Sequence, residues 1–215
     1  MIMLKKIVII GPESTGKSTL CEQLATHYRS EWCPEYAREY LTANGMHYSY
    51  DDLLTIARGQ LQLEDAFAAT VAARVNNTGA TGSSSAMPPA LLFIDTDMYV
   101  MKVWCEYVFG KCHQFILDQV TTRQYDLYLL CNTDLPWAYD PLREYPDDGP
   151  RQELFQAYKD ILINQHTPWV EIKGSYEARL HTAITAVDDL LREEQGVQVS
   201  DTTTVAQRIP GPGNN

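Results

Sequence analysis

Near the start of this chain, residues 11–18 read Gly-Pro-Glu-Ser-Thr-Gly-Lys-Ser, a glycine-containing loop that few folds can accommodate. The loop has the spacing GxxxxGK followed by Ser or Thr, and a run rich in β-branched residues at 4–10 precedes it. After the loop, Leu20, Leu24 and Tyr28 recur at the four-residue interval typical of one helical face. Strand, glycine turn and helix form the first half of a βαβ unit, so the sequence predicts an α/β domain that opens on a phosphate-binding loop.

The residue types of this loop suit a nucleotide. Gly11 lets the chain turn sharply off the strand, and Gly16 lets backbone N–H groups approach a phosphate with no Cβ in the way. Those amides and the following helix N-terminus form a positive concavity. Lys17 can reach the β- and γ-phosphates, and the Ser18 hydroxyl can hold Mg²⁺. We therefore predict that ATP contacts Gly11, Glu13, Ser14, Thr15, Gly16, Lys17, Ser18 and Thr19.

Further strands and helices alternate along the chain. The later predicted strands lie at 31–34, 91–94, 127–131 and 169–172. Alternation of this kind implies a three-layer α/β fold, in which a central parallel sheet is covered by helices on both faces. We expect one domain over residues 1–195 with a flexible low-complexity loop at 76–90, and a disordered tail at 196–215.

Composition excludes several classes of protein. Among the 215 residues Lys and Arg number 17 and Asp and Glu 28, a net charge of -11, whereas a nucleic-acid binder needs a basic face. No apolar run approaches the roughly 18 residues of a membrane helix, and no signal peptide is evident. The five cysteines lack a CxxC spacing, which favours reduced thiols. We expect a cytoplasmic protein without nucleic-acid or membrane partners, and its oligomeric state stays open.

Two carboxylates follow the predicted strand at 91–94. Asp95 stands at the strand's carboxyl end, where an acid near the magnesium ion belongs, so we predict that Asp95 and Ser18 hold the metal. Asp97 is the second candidate for this role. It is alternatively the cap of a helix that begins near Met98, or a contact of the substrate.

The segment Pro-Glu-Tyr-Ala-Arg-Glu-Tyr at 34–40 follows the second strand, where an acceptor would face the γ-phosphate. Glu35 and Arg38 are three residues apart and share a helical face. We expect the helix N-terminus to lower the pKa of Glu35, which would orient the acceptor hydroxyl and accept its proton. Tyr36 and Arg38 are predicted to bind the substrate. The alternative is an ordinary surface ion pair.

A polar stretch at 136–152 is the predicted lid. Arg143 and Arg151 flank the turn signal Asp-Asp-Gly at 147–149, and from a mobile lid they would contact ATP and neutralise the transferred phosphoryl group. The alternative is two solvated arginines. Trp137 is predicted to contact the substrate. The aromatic residues that could stack on an acceptor ring are Trp32, Tyr36, Tyr40, Tyr99, Trp104, Trp137 and Tyr139.

Other nucleotide-dependent classes fit less well. The nearest match to a guanine-reading Asn-Lys-x-Asp is Asn-Thr-Asp at 132–134, which lacks the lysine, and no LSGGQ-like signature is present. A base and a lid favour a small-molecule kinase that uses Lys17, Glu35, Asp95 and Arg143 for catalysis. A regulatory ATPase that docks a protein partner through the 34–40 segment is the alternative.

Four segments are more specific together than the phosphate-binding loop alone. They read GPESTGKS at 11–18, PEYAREY at 34–40, FIDTD at 93–97 and LCNTDLPWAYDPLR at 130–143. As a set they resemble the ribosylnicotinamide kinase domain of NadR-type NAD biosynthesis proteins, a family of AAA-type P-loop kinases, from about residue 5 to residue 191. The resemblance implies a P-loop nucleoside-kinase-like fold and phosphorylation of the 5′-hydroxyl of nicotinamide riboside by ATP and Mg²⁺. It further implies a standalone kinase, without the adenylyltransferase domain that often precedes this one.

The same resemblance implies roles for individual residues. It puts Lys17 and Ser18 on the phosphates and metal, Glu35, Arg38, Asp95 and Asp97 near the acceptor and metal, and Arg143 on the lid. One departure concerns the ring of the acceptor. Related kinases can hold it between two aromatic residues, but this chain has Pro34 at the first position and Ala66, next to Phe67, near the second. Another nucleoside or a vitamin alcohol therefore stays open as the acceptor.

Overall fold

The computed structural model describes residues 4–78 and 90–196. In chain order the elements are β1 (Lys5–Ile10), α1 (Lys17–Tyr28), β2 (Glu31–Cys33), α2 (Tyr36–Asn44), α3 (Tyr50–Thr78), β3 (Leu91–Asp95), α4 (Met98–Phe109), α5 (Gln114–Thr122), β4 (Leu127–Cys131), α6 (Asp148–Ile163), β5 (Trp169–Ile172) and α7 (Tyr176–Gly196). Within these residues no helix is both long and apolar enough to cross a membrane.

The strands form one parallel sheet in the order β2-β3-β1-β4-β5. Strand β1 lies at the centre, where Ile7 is in register with Phe93 on one side and Leu127 on the other. Its inner residues are fully buried because helices cover both faces of the sheet. The predicted α/β class and the parallel order of the sheet are confirmed.

Alternating strand residues divide the core into two layers. Ile7 and Ile9 pack with α1 and α7, whereas Val8 and Ile10 pack with residues of α3, α4 and α6. A third apolar cluster joins α2, α3, α4 and α5. The carboxyl ends of β1, β2 and β3 therefore open between the sheet and this helical cluster, which is where an α/β sheet builds a ligand site.

Three predicted boundaries differ from the described elements or lie largely outside them. The lid was expected to extend through residue 152, but α6 begins at Asp148, so the non-helical part ends at 147. We use the term lid segment for residues 136–147. The predicted flexible loop lies largely outside the described residues, since 76–78 belong to α3 and 79–89 are not described. The predicted tail also lies outside them, apart from Gly196 in α7.

Candidate active site

The phosphate-binding loop depends on its two glycines. Gly11 has φ +143°, and a Cβ there would lie 2.6 Å from the carbonyl oxygen of Cys131. Gly16 has φ +79° and caps the N-terminus of α1. Both conformations disfavour residues with a Cβ, so the loop and the entry into the helix require glycine at these positions. The backbone amides at the start of α1 are thereby left facing the site.

Two buried arginines brace this loop from other elements. Arg179 of α7 donates hydrogen bonds to the carbonyl oxygens of Thr15, at 3.0 Å, and Asn132, at 2.9 Å, and it pairs with Asp134. Arg151 of α6 is 1% exposed and lies 3.2 Å from the Leu135 carbonyl oxygen. Arg151 was predicted to reach ATP from a mobile lid, but the structure corrects this expectation, because its guanidinium lies among backbone carbonyls, including that of Ser14 at 3.5 Å, and pairs with Asp148.

Lys17, Ser18 and Asp95 meet at the mouth of the loop. The Lys17 ammonium donates to the Pro12 carbonyl oxygen at 2.9 Å, and the Ser18 hydroxyl donates to Asp95 Oδ2 at 2.5 Å. Asp95 Oδ1 is buried and accepts no hydrogen bond within the described residues. Burial raises the pKa of Asp95, while Lys17 and Ser18 oppose this shift. A buried, unsatisfied carboxylate oxygen beside a hydroxyl is a donor set suited to a divalent cation.

Glu35 lies across the cavity from the loop, directly before α2. It is the N-cap residue by position, yet its side chain makes no capping hydrogen bond, so the carboxylate is available to a ligand. Burial raises its pKa, and the Asp95 charge adds to the rise, whereas Lys17 and Arg38 lower it. The expected lowering of the Glu35 pKa by the helix N-terminus is therefore wrong, because burial and a neighbouring carboxylate outweigh it.

Arg38 points from α2 toward the lid segment. Its guanidinium pairs with Asp140, with Nη2 to Oδ2 at 2.9 Å and Nη1 to Oδ1 at 3.4 Å. The alternative of a surface ion pair between Arg38 and Glu35 gives way to this longer-range pair, which connects α2 to the lid segment. Both Glu35 and Arg38 line the main cavity.

The cavity has a volume of about 360 Å³ and joins the loop to an aromatic chamber. Residues 11–19 form one wall, and Glu35, Arg38 and Arg143 lie on the others. The aromatic lining consists of Trp104, Tyr107, Tyr145 and Tyr158. The cavity thus has a phosphate-binding end and an apolar end, which suits a ligand that is itself part charged and part aromatic.

Of the aromatic residues predicted to stack on an acceptor, Trp104 lines this cavity. Tyr36 is outside the lining, because its ring packs against Gly59 of α3 and its backbone N–H donates to Gln60 at 2.7 Å. Trp137 is also outside it, and its indole donates to Glu13 at 3.3 Å. Substrate contacts by Tyr36 and Trp137 are therefore not favoured by their placement.

Asp97 acts as a helix cap. Its Oδ1 accepts hydrogen bonds from the backbone N–H groups of Tyr99, at 3.0 Å, and Val100, at 3.3 Å, and its Oδ2 accepts from the Tyr128 hydroxyl at 2.8 Å. Burial raises its pKa to about 7. Since both oxygens are engaged and the residue does not line the cavity, the capping role weighed above fits, and the substrate contact does not.

Arg143 is half-buried at the cavity and donates to the Ser14 hydroxyl oxygen at 3.2 Å and to the Ala138 carbonyl oxygen. Arg143 therefore lies beside the phosphate-binding loop, and its predicted contact with ATP stays a prediction. The lid segment itself is held over the loop by Glu13 and Ser14, which were expected to contact the nucleotide.

Some residues of the cavity were missed at the level of sequence. Trp104 was among the predicted aromatic residues, but Val100 and Tyr107, which recur with it at helical spacing on α4, were not. A search for a helical face near Asp95 would have found them. Arg179 carries no local signal, because only the folded chain brings it to the loop.

Comparisons with known proteins identify the family of this chain. The model of the family AAA_28, described as AAA domain, matches residues 6–179. The trifunctional NAD biosynthesis/regulator protein NadR of Salmonella typhimurium (strain LT2) is 27% identical over 196 residues, which cover 89% of this chain and 44% of that protein. The chain therefore spans less than half the length of that curated relative.

Solved structures support the fold. The crystal structure of NadR protein in complex with NR has a TM-score of 0.65 and 22% identity, covering 94% of this chain and 52% of that one. Thymidylate kinase from Ehrlichia chaffeensis has a TM-score of 0.50 and 15% identity, covering 87% of this chain and 98% of that one. These likenesses establish a nucleoside-kinase-like α/β fold. Because the family match extends over well more than half of the chain, this P-loop protein belongs to the AAA domain family AAA_28 and is related to NadR.

Proposed function

We propose that this protein is an ATP- and Mg²⁺-dependent kinase that phosphorylates an alcohol of a nucleoside-like molecule, with nicotinamide riboside as the preferred acceptor. The observation that carries the proposal is the arrangement of one cavity. The phosphate-binding loop forms one wall. The Glu35 carboxylate, which makes no capping hydrogen bond to α2, faces the loop, and an aromatic chamber extends beyond both. A switch or motor needs no second chamber of this kind beside its γ-phosphate.

Glu35 would orient the acceptor. Its carboxylate has no helix-capping duty, and Thr96 is its hydrogen-bonding neighbour at 3.5 Å. Because burial and the Asp95 charge raise its pKa, its carboxylate is a better proton acceptor than that of an exposed glutamate. It would align the hydroxyl for in-line attack and take its proton, which requires positioning more than strong basicity.

Ser18 and Asp95 would hold the magnesium ion. The unsatisfied Asp95 Oδ1 and the Ser18 hydroxyl at Asp95 Oδ2 fit a hard cation that prefers oxygen ligands. When bound, Mg²⁺ neutralises charge on the β- and γ-oxygens.

Lys17 and Arg143 would stabilise the phosphoryl group during transfer. Lys17 is anchored only to a backbone carbonyl among the described residues, so it can exchange that contact for phosphate oxygens. Arg143 stands beside Ser14 of the loop, and the lid segment that carries it covers the site. Such coverage limits the entry of water and so protects ATP from hydrolysis.

The aromatic chamber supports nicotinamide riboside among the possible acceptors. The pyridinium ring of this nucleoside is cationic, and aromatic faces together with a nearby carboxylate attract a cation. Trp104, Tyr107 and Tyr145 line the chamber, and Glu144 lies there too. Trp104 donates to the Tyr48 hydroxyl at 2.8 Å, which in turn donates to Glu144 at 3.0 Å, so indole and carboxylate are fixed relative to each other. This set replaces the aromatic pair that the chain lacks at Pro34 and Ala66. The relatedness to NadR also supports this acceptor.

The test is a coupled ADP-release assay with ATP, Mg²⁺ and a panel of alcohols. We expect nicotinamide riboside to raise ADP production far above the rate without acceptor, and neutral ribosides and vitamin alcohols to be poorer. Mass spectrometry of the product identifies the phosphorylated compound. If no alcohol raises the rate, the kinase proposal is wrong. If a neutral riboside is preferred, the cationic-ring argument is wrong while the kinase activity stands.

The placement of α2 gives less support to the alternative hypothesis of a regulatory ATPase. It needs α2 as an outward docking face, whereas Ala37, Arg38 and Leu41 of that helix line the cavity. Hydrolysis that is independent of any acceptor and stimulated by a protein would favour that reading instead.

A further inference from the structure

The carboxylate of Glu13, at the third position of the phosphate-binding loop, is engaged by the lid segment. Its Oε1 accepts hydrogen bonds from the Tyr145 backbone N–H at 2.6 Å and the Trp137 indole at 3.3 Å, and its Oε2 accepts from the Glu144 backbone N–H at 2.9 Å. One side chain thus connects two parts of the lid segment that are several residues apart. Hydrogen bonds from backbone N–H groups to a carboxylate are among the stronger ones in proteins.

The neighbouring Ser14 completes the connection. Its hydroxyl oxygen accepts from the Ala138 backbone N–H at 2.9 Å and from Arg143 Nη1 at 3.2 Å. Ser14 has φ +56°, a left-handed conformation that is uncommon outside glycine. Together these two loop residues hold both ends of the stretch 137–145 over the phosphate site.

We propose that Glu13 is a positioning residue that fastens the lid segment to the phosphate-binding loop and so keeps Arg143 and Tyr145 at the cavity. The inference rests on the proposed kinase function and assigns Glu13 a role other than nucleotide contact. A carboxylate beside a triphosphate repels it, so a ligand role for Glu13 would be unfavourable. Three hydrogen bonds to a segment without regular structure are, by contrast, a direct means of ordering that segment.

The fastening has a chemical consequence. A loosened lid segment would admit water to the phosphate site and leave Arg143 poorly placed. Transfer to the acceptor would then slow, while hydrolysis without acceptor would persist or rise. The ratio of hydrolysis to transfer is therefore the sensitive quantity.

The experiment compares Glu13→Ala, Glu13→Gln and the control Glu22→Gln. Glu22 is an exposed carboxylate on α1, so its replacement changes the net charge equally without touching the lid segment. Three readouts are taken on the full chain. They are hydrogen exchange of the peptide that contains the Glu144 and Tyr145 amides, ATP affinity by calorimetry, and the rates of hydrolysis and transfer with the best acceptor.

For Glu13→Ala we expect faster exchange at 144–145, a hydrolysis-to-transfer ratio raised roughly tenfold, and ATP affinity unchanged or slightly tighter. Glu13→Gln retains one acceptor oxygen and should lie between Glu13→Ala and the wild type, with Glu22→Gln like the wild type. Weaker ATP binding with unchanged exchange would overturn the proposal in favour of a nucleotide contact. Unchanged exchange and unchanged rates would overturn it as well.

The proposal and the kinase function fail in different ways. If the wild-type protein phosphorylates no acceptor, the kinase proposal fails, yet exchange and hydrolysis in Glu13→Ala still report on the lid segment. A change in exchange that has no effect on hydrolysis or transfer would show that the fastening is merely structural, and it would overturn the positioning role.

Discussion

The two ends of the cavity are built in different ways. The phosphate end is one continuous stretch of chain, residues 11–19, whose shape follows from Gly11 and Gly16. The other end is assembled from α2, α4, α6 and the lid segment, and each contributes two to four residues to the lining. The first end would bind a triphosphate through backbone amides and the side chains of Lys17 and Ser18, whereas the second would select a ligand by the identities of its side chains.

Substitutions at the two ends should therefore have different effects on function. A substitution at the phosphate end should affect all acceptors alike, because every reaction uses the same triphosphate. A substitution at the acceptor end should change the ranking of acceptors and leave nucleotide binding nearly intact. Substitutions at each end of the cavity can test whether these two kinds of effect are separable.

Lys17→Ala should have the largest effect. Removing the ammonium should lower turnover by about 10³-fold with every acceptor, because it removes charge stabilisation of the transferred group. The thermal midpoint should stay near that of the wild type, since the Lys17 ammonium contacts one backbone carbonyl within the described residues. ADP release and thermal melting measure the two quantities, with Lys102→Ala, which removes a charge from an exposed pair on α4, as the control. Near-normal turnover would remove Lys17 from the mechanism.

Glu35→Gln should lower turnover by about 10²-fold, because the amide cannot accept a proton. Burial and Asp95 raise the pKa of Glu35 above its usual 4.5. As the pH falls, its carboxylate is therefore protonated at a higher pH than that of an exposed glutamate. In the wild type, kcat/KM for the acceptor should therefore fall as pH decreases through a value above 4.5. A pH profile of both proteins is the measurement. An acidic limb that persists unchanged in the variant would assign the titration to another group, such as Asp95.

Trp104→Leu should have a smaller and more selective effect. It removes the aromatic face but keeps an apolar wall, so the KM for nicotinamide riboside should rise about tenfold while the KM for ATP changes little. Trp104→Phe, which keeps a ring, should raise the KM for nicotinamide riboside less. Steady-state kinetics with a cationic and a neutral riboside separate stacking on a cation from simple packing. An equal loss for both ribosides would contradict the cationic-ring argument.

Gly59→Ala should have the smallest effect on activity and a clear one on stability. A Cβ at this position would lie 2.1 Å from the Tyr36 ring, so this ring, or the start of α2 that carries it, must shift. The overlap should cost about 1–3 kcal/mol of unfolding free energy, which exceeds the gain in helix propensity of about 1 kcal/mol. Activity should fall a few-fold through displacement of Glu35. Urea denaturation with Gly59→Ala/Tyr36→Leu as the compensating variant tests this, since the smaller side chain should restore stability.

Residues at the phosphate end of the cavity were easier to predict from the sequence than residues at the acceptor end. Lys17, Ser18 and Asp95 were predictable because a contiguous motif and a strand end determine where they lie. The relation of Glu35 to the loop was predictable from strand order, but its pKa was not, because burial and the distance to Asp95 are properties of the folded chain.

Tyr107 and Tyr145 show the harder case. They meet with ring centroids 5.6 Å apart, although one belongs to α4 and the other to the lid segment. Arg151 illustrates the opposite error, since a turn signal at 147–149 suggested an exposed loop where a buried helical residue lies. Local patterns report local conformation, and they do not report which distant side chains come together.

The brace from Arg179 has a consequence for synthesis. Its guanidinium binds the Thr15 carbonyl from a position 164 residues further along the chain. On the ribosome the nascent polypeptide must therefore emerge almost to the end of the domain before this support forms. We expect nascent chains that lack Arg179 to bind ATP weakly, so that they neither sequester nor hydrolyse it.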